Sequence, residues 1–220
     1  TTVSLYLVDL LTGTVVSKAA EYNGQIKRGE DVISRIIYAG KNDGLPEMQS
    51  LVVGTINELI ERASQRAKIN PAEIYKMTVA GNSTMIHLLL GIPASSIRLS
   101  PFVTTVNHVP LVDVLELGLK IHPQGIVDCL PGVASYVGSD ITAGVLASGM
   151  DDTPQITLFM DVGTNGEIVL GSREWLVALD PCLGNLPTPM FTETRTRDQA
   201  AGPLPPQRAE PSRLPAGIPV

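Results

Sequence analysis

Basic residues are the minority charge: 16 Lys and Arg stand against 22 Asp and Glu, for a formal net charge of -6. That argues against nucleic acid or an anionic membrane as the main partner, because both demand a basic face. No apolar run approaches the ~20 residues of a membrane span, and the opening Thr1-Thr2-Val3-Ser4-Leu5 lacks the shape of a signal peptide. A soluble, acidic, cytoplasmic protein is the expectation. Cysteine is almost absent: Cys129 and Cys182 stand far apart and in no C-x-x-C pattern, which argues against a disulfide scaffold or a zinc site. An iron–sulfur cluster held wholly by cysteine needs four thiolates, more than the chain has. Aromatics make up only 4%, so the core must rest on Val, Ile, Leu and Ala. No Walker A pattern G-x-x-x-x-G-K-[ST] occurs, which removes the P-loop route to ATP.

What is present reads as alternating strands and helices. Residues 3–9 alternate as a strand, Leu11-Thr12-Gly13-Thr14 turns, and residues 15–19 return. Residues 30–38 place Val32, Ile33, Ile36 and Ile37 at helical spacing. Residues 45–67 are the clearest helix, with Leu51, Val52, Thr55, Ile56, Leu59, Ile60 and Ala63 in one stripe. Asn70-Pro71 signals a helix start. Residues 77–80 read as a short buried strand, Gly81-Asn82 ends it, and residues 83–90 form a helix; a strand feeding a helix in this way is an α/β unit. Five prolines between 93 and 131 rule out long regular elements there. A strand is expected over 133–137, then a small-residue helix over 141–148 in which Ala143, Gly144 and Ala147 permit close packing. Strands follow over 155–161, 167–171 and 175–179, the first two joined by a turn ending in Asn165-Gly166, a strong hairpin signal.

The composition changes at Pro181. Nine of the 17 prolines lie beyond residue 180, with no apolar periodicity. Such a segment cannot bury enough surface to offset its ordering entropy. Residues 181–220 are therefore expected to be disordered, as a Pro-rich linker or a non-native end. The opening residues read as the interior of a strand, which suggests a truncated chain.

The stretch Phe159-Met160-Asp161-Val162-Gly163-Thr164-Asn165-Gly166 carries the most chemistry. An apolar strand delivers a carboxylate to a turn with two glycines, a hydroxyl and an amide. Glycines let backbone N–H groups point at an anion, and Thr164 and Asn165 add side-chain donors. A carboxylate beside phosphates suits Mg²⁺, held at Asp161 through water, or orients an attacking water. The plain alternative is a tight hairpin. Gly81-Asn82 opens a helix and can bind an anion at its N–H groups, or merely cap it. Asp140, after Gly138-Ser139, is a first-turn carboxylate favoured by the helix dipole, or a metal-linked or catalytic one. His87, His108 and His122 share no ligand spacing, and His87 reads as packed.

Four blocks taken together — residues 29–36, 81–92, 131–147 and 160–171 — resemble the ATP-dependent reductive activators of corrinoid proteins. The resemblance covers about residues 1–179. It implies an α/β fold of the actin, Hsp70 and sugar-kinase type (ribonuclease H-like), two-lobed, each lobe opening on a strand–turn–strand phosphate loop. Residues 1–150 would be the first lobe, with an irregular insertion at about 93–130, and residues 151–180 the opening strands of the second. Asp161, Gly163, Thr164, Asn165 and Gly166 match the second-lobe loop. Thr1 and Thr2 match the end of the first-lobe loop, whose aspartate and glycine would precede residue 1. Asp140 would lie near the cleft.

The implied cofactors are ATP and Mg²⁺, with a [2Fe–2S] cluster only in an upstream domain outside this sequence. The implied activity couples ATP hydrolysis to low-potential electron transfer onto a corrinoid protein or corrinoid methyltransferase, in anaerobic one-carbon metabolism. Since the resemblance fails near Pro181, weak or absent ATP turnover by this chain is expected. A small-molecule kinase and a non-catalytic nucleotide-dependent binding module are the competing readings. Apolar surface over 155–179 would favour aggregation or a homodimer.

Overall fold

The structure is a computed structural model and describes residues 2–162 and 166–179. The fold is mixed α/β, and the described residues form eight strands in three small sheets. Strands β1 (Thr2–Val8) and β2 (Val15–Tyr22) form an antiparallel hairpin. Its turn is closed by Asp9, whose carboxylate accepts from the Leu11 N–H at 2.8 Å, while Gly13 takes φ +70°. A single 3-10 turn follows at Gly24–Lys27. Helix α1 (Val32–Ala39) begins at an Asp31/Ser34 capping box.

Helix α2 (Gly44–Ala67) is the central beam. Its stripe of Val52, Thr55, Ile56, Leu59, Ile60 and Ala63 is buried, while Leu51 is only half-buried. The stripe packs against Val3 and Leu5 of the first hairpin and against Val127 and Cys129 of a second sheet. That second sheet is β3 (Lys76–Val79), β5 (Ile126–Cys129) and β4 (Val112–Asp113), in the order β3-β5-β4, with β3 and β5 parallel. Asn70 and Glu73 make a capping box, but on a 3-10 turn rather than a full helix. Helix α3 (Ser83–Leu89) follows β3, as the Gly-Asn turn predicts.

Between Pro93 and Pro131 the regular pieces are two to four residues long: α4 (Ser95–Arg98), β4, α5 (Val114–Leu117) and β5. The strand expected over 133–137 is not formed. The N–H groups of Val133 and Ala134 donate to the Val137 carbonyl and that of Val137 donates back to Ala134, so the segment closes on itself as a tight turn. The strand that pairs with β3 lies earlier, at 126–129, hidden between Pro123 and Pro131.

Helix α6 (Ser139–Ser148) then leads to the third sheet, β6 (Thr157–Val162), β7 (Gly166–Ser172) and β8 (Trp175–Leu179), antiparallel and in sequence order. One face of this sheet packs on α6 through Val137, Ile141, Met150, Val169 and Ala178. Its other face presents Leu158, Met160, Val162 and Leu170 to solvent. The expected tail, residues 181–220, lies outside the described residues.

Candidate functional site

Two parallel strands deliver their C-terminal ends to one place. The Leu130 N–H donates to Val79 O at 2.9 Å, so β3 and β5 end side by side. The turn leaving β3 is locked to the start of α6. Ser139 Oγ accepts from the Gly81 N–H at 3.0 Å and donates to Gly81 O at 3.0 Å, and the Ser139 backbone N–H donates to the same carbonyl at 3.0 Å. The Asp140 N–H adds a longer bond to it at 3.3 Å. This closeness depends on Gly138, where a Cβ would fall 2.7 Å from Asn82 Cα, Gly81 O and Asp140 Oδ1 alike.

Gly81, Asn82 and Asp140, nominated separately from the sequence, therefore meet at one junction. Asn82 caps α3, its side-chain oxygen accepting from the Thr84 N–H at 2.9 Å. Asp140 occupies the first turn of α6, and its Oδ1 accepts from the Ile141 N–H at 3.0 Å. Its pKa is raised above the ordinary carboxylate value. Burial is the main cause; bonds from the Ile141 and Asp140 N–H groups oppose it, and the nearby charge of Asp161 adds to it. The charge of Asp161 thus reaches Asp140 from β6.

Asp161 sits in the last turn of pleat before the glycine-rich loop, as expected. It pairs in register with Glu167, and Val162 pairs with Gly166. Directly opposite residues share a face, so the buried Glu167 lies beside Asp161. Sequence reasoning placed Glu167 only on the returning strand; a two-residue Asn165-Gly166 turn would have set it opposite Thr164, whereas the pairing of Val162 with Gly166 sets it opposite Asp161. Gly163, Thr164 and Asn165 lie outside the described residues, as does Thr1. Thr2 opens β1 opposite Tyr22, and no hydrogen bond among the described residues ties it to the junction.

Two buried titratable side chains nearby, His87 and Cys129, are structural. His87 is buried with both ring nitrogens in use: Nδ1 lies 2.7 Å from Ser83 O, and Nε2 accepts from the Thr105 N–H at 3.1 Å. Burial lowers its pKa, so it stays neutral. Burial, with Asp128 nearby, pushes the Cys129 thiol up to about 11, which keeps it protonated and unreactive.

Among the described residues, no three His, Cys, Asp or Glu side chains gather as an all-protein metal cage. A pair of carboxylates suits Mg²⁺, which is held by one or two carboxylates together with substrate phosphates. Among the described residues no helix is long and apolar enough to cross a membrane.

Comparison with known proteins returns the resemblance drawn from the residue blocks. The corrinoid activation enzyme RamQ of Eubacterium limosum is 34% identical over 184 residues, covering 83% of this chain and 31% of that protein. A solved structure, described as a reductive activator for corrinoid, iron–sulfur protein, superposes with a TM-score of 0.80 at 46% identity. That match covers 82% of this chain and 29% of that one. The chain thus spans about a third of the length of these relatives. The family model described as the RACo middle region matches residues 1–153, well over half of the sequence, and the chain belongs to that family.

Proposed function

We propose that this chain is the nucleotide-facing portion of a reductive activator of corrinoid proteins, an ATPase of the actin, Hsp70 and sugar-kinase type. Residues 1–150 supply most of the first lobe and residues 151–180 open the second. The observation that carries the reading is the carboxylate pair. Asp140 and Asp161 come from different elements, the charge of Asp161 acts on Asp140, and Asp161 immediately precedes a segment whose residues Gly163 to Gly166 suit phosphate. The names of the relatives support the corrinoid protein as the partner.

Each residue has a task in this reading. Gly163, Thr164, Asn165 and Gly166 hold the phosphates from the second lobe, and Thr1 and Thr2 from the first. Asp161 and Asp140 would hold Mg²⁺, which when bound neutralises phosphate charge and orients the nucleotide. Gly81 and Asn82 fix Asp140 through the Ser139 bonds and through the Gly138 contact with Asn82. The electron comes from a [2Fe–2S] domain upstream of these residues, in the cytoplasm of an anaerobe.

Titrating the chain with a fluorescent ATP analogue, with and without Mg²⁺, tests the nucleotide half. Saturable binding that needs Mg²⁺ and weakens at least tenfold in Asp161→Asn is expected; binding indifferent to both would overturn it. Surface-coupled corrinoid iron–sulfur protein should retain the chain in the presence of nucleotide, and no retention under any nucleotide condition would remove the partner assignment.

A further inference from the structure

The third sheet meets α6 in two layers, and the second layer explains the first. Along β6, Phe159 and Asp161 are two residues apart and so project from the same face; both are half-buried, while their neighbours Leu158, Met160 and Val162 point outward. Along α6, Asp140 and Gly144 are four residues apart and so lie on one face, a turn apart. The helix rises ~6 Å over four residues and the strand ~7 Å over two, so the two pairs align. Phe159 meets Gly144, and one step further along each element lie Asp161 and Asp140, near enough for the charge of Asp161 to act on Asp140.

The contact between Phe159 and Gly144 leaves no space for a side chain. A Cβ at Gly144 would lie 3.0 Å from Phe159 Cε1 and Cε2, and closer still to Cζ. The half-buried ring packs against the cluster of Val137, Ile141, Met150, Val169 and Ala178, which restricts its swing. Phe159 also pairs with Val169, which is itself buried. Gly144 takes ordinary helical backbone, and no positive φ calls for glycine there. What remains is the approach distance of α6 to β6.

We infer that Gly144 and Phe159 form a spacer that sets the separation of Asp140 and Asp161, and so determines whether the two carboxylates can share one divalent cation. They are positioning residues: neither carries a group that could touch the ion. The inference rests on the carboxylate pair being the cation site, as proposed above.

The test uses the whole chain and Mn²⁺ alone, with bound Mn²⁺ read from the electron paramagnetic resonance of the free ion. The wild type should bind one Mn²⁺, and Asp161→Asn should abolish that binding. Gly144→Ala should weaken it at least tenfold, by forcing the helix off the strand. The double variant Gly144→Ala/Phe159→Leu restores the lost room and should recover affinity to within threefold of wild type. Thermal unfolding of each variant separates spacing from folding. If Gly144→Ala does not fold, the double variant decides: folded with Mn²⁺ bound supports the spacer, folded without Mn²⁺ overturns it. Wild-type binding unchanged in a folded Gly144→Ala would overturn the inference alone. No Mn²⁺ bound by the wild type would overturn the reading of the site and the inference with it.

Discussion

Replacing Gly138 by alanine places one methyl group where the junction has no room. The added carbon would meet Asn82 Cα, Gly81 O and Asp140 Oδ1, each at 2.7 Å. Ordinary contact begins near 3.4 Å, so the neighbours must retreat by 3.4 − 2.7, or about 0.7 Å. Two of the three atoms are backbone and cannot rotate away. Overpacking of this kind costs about 1–3 kcal/mol, and the backbone contacts argue for the upper half. At ~2–4 °C per kcal/mol for a chain of this length, the midpoint should fall by about 4–12 °C. Backbone strain does not contribute, because Gly138 has φ -83°, which alanine adopts freely. The comparison variant is Gly132→Ala, whose Cβ would meet its neighbours only at 3.7–3.8 Å and should be close to neutral. Thermal unfolding of the three proteins reads that shift, and urea unfolding should show a lower midpoint at constant slope. A Gly138→Ala protein as stable as Gly132→Ala would refute the close-approach account.

Two predictions concern protons. Asp140 has a raised folded-state pKa, chiefly from burial, so the folded state binds its proton more tightly than the unfolded chain; stability falls as pH rises from about 3.8 through the folded value. Asp140→Asn should therefore be more stable than wild type at pH 7 and no more stable below the unfolded pKa, by calorimetry, while losing divalent-cation binding. His87 has a lowered folded pKa, again from burial. The unfolded state then binds more protons as pH drops below 6.5, and the urea midpoint should fall with acidification from that point. His87→Gln should flatten that dependence, and an unchanged slope would show that His87 is not its source.

The parts of the fold legible in the sequence are those whose cause is local. The α2 stripe follows from 3.6-residue periodicity over 24 residues, and the existence of the β6–β7 hairpin, though not its register, from the turn signal between two apolar runs. The meeting of Gly81, Asn82 and Asp140 was half legible: each lay at a strand end or helix start, but the Ser139 bonds that join them link residues 58 apart. β5 escaped because four residues between two prolines carry no period, and parallel pairing with β3 is decided by packing beneath α2. Gly144 was legible as a small residue suited to close packing, but not Phe159 as its neighbour. Glu167 was missed as a site residue because its place beside Asp161 comes from register and not from its own neighbours in sequence.

The same Gly81–Ser139 tie has a kinetic meaning. The turn of the first hairpin closes over five residues, from Asp9 to Thr14, whereas the junction closes over 58. Loop-closure entropy grows as the logarithm of length, so the junction starts at a disadvantage of about 2 kcal/mol. Nothing local offsets that deficit until α2 has collected both sheets. The hairpins can exist before the junction does, and Asp140 is held beside Gly81 and Asn82 only when that long loop has closed. A chain caught midway would carry ordinary secondary structure in its circular dichroism and yet lack the tie that fixes Asp140 against the turn leaving β3.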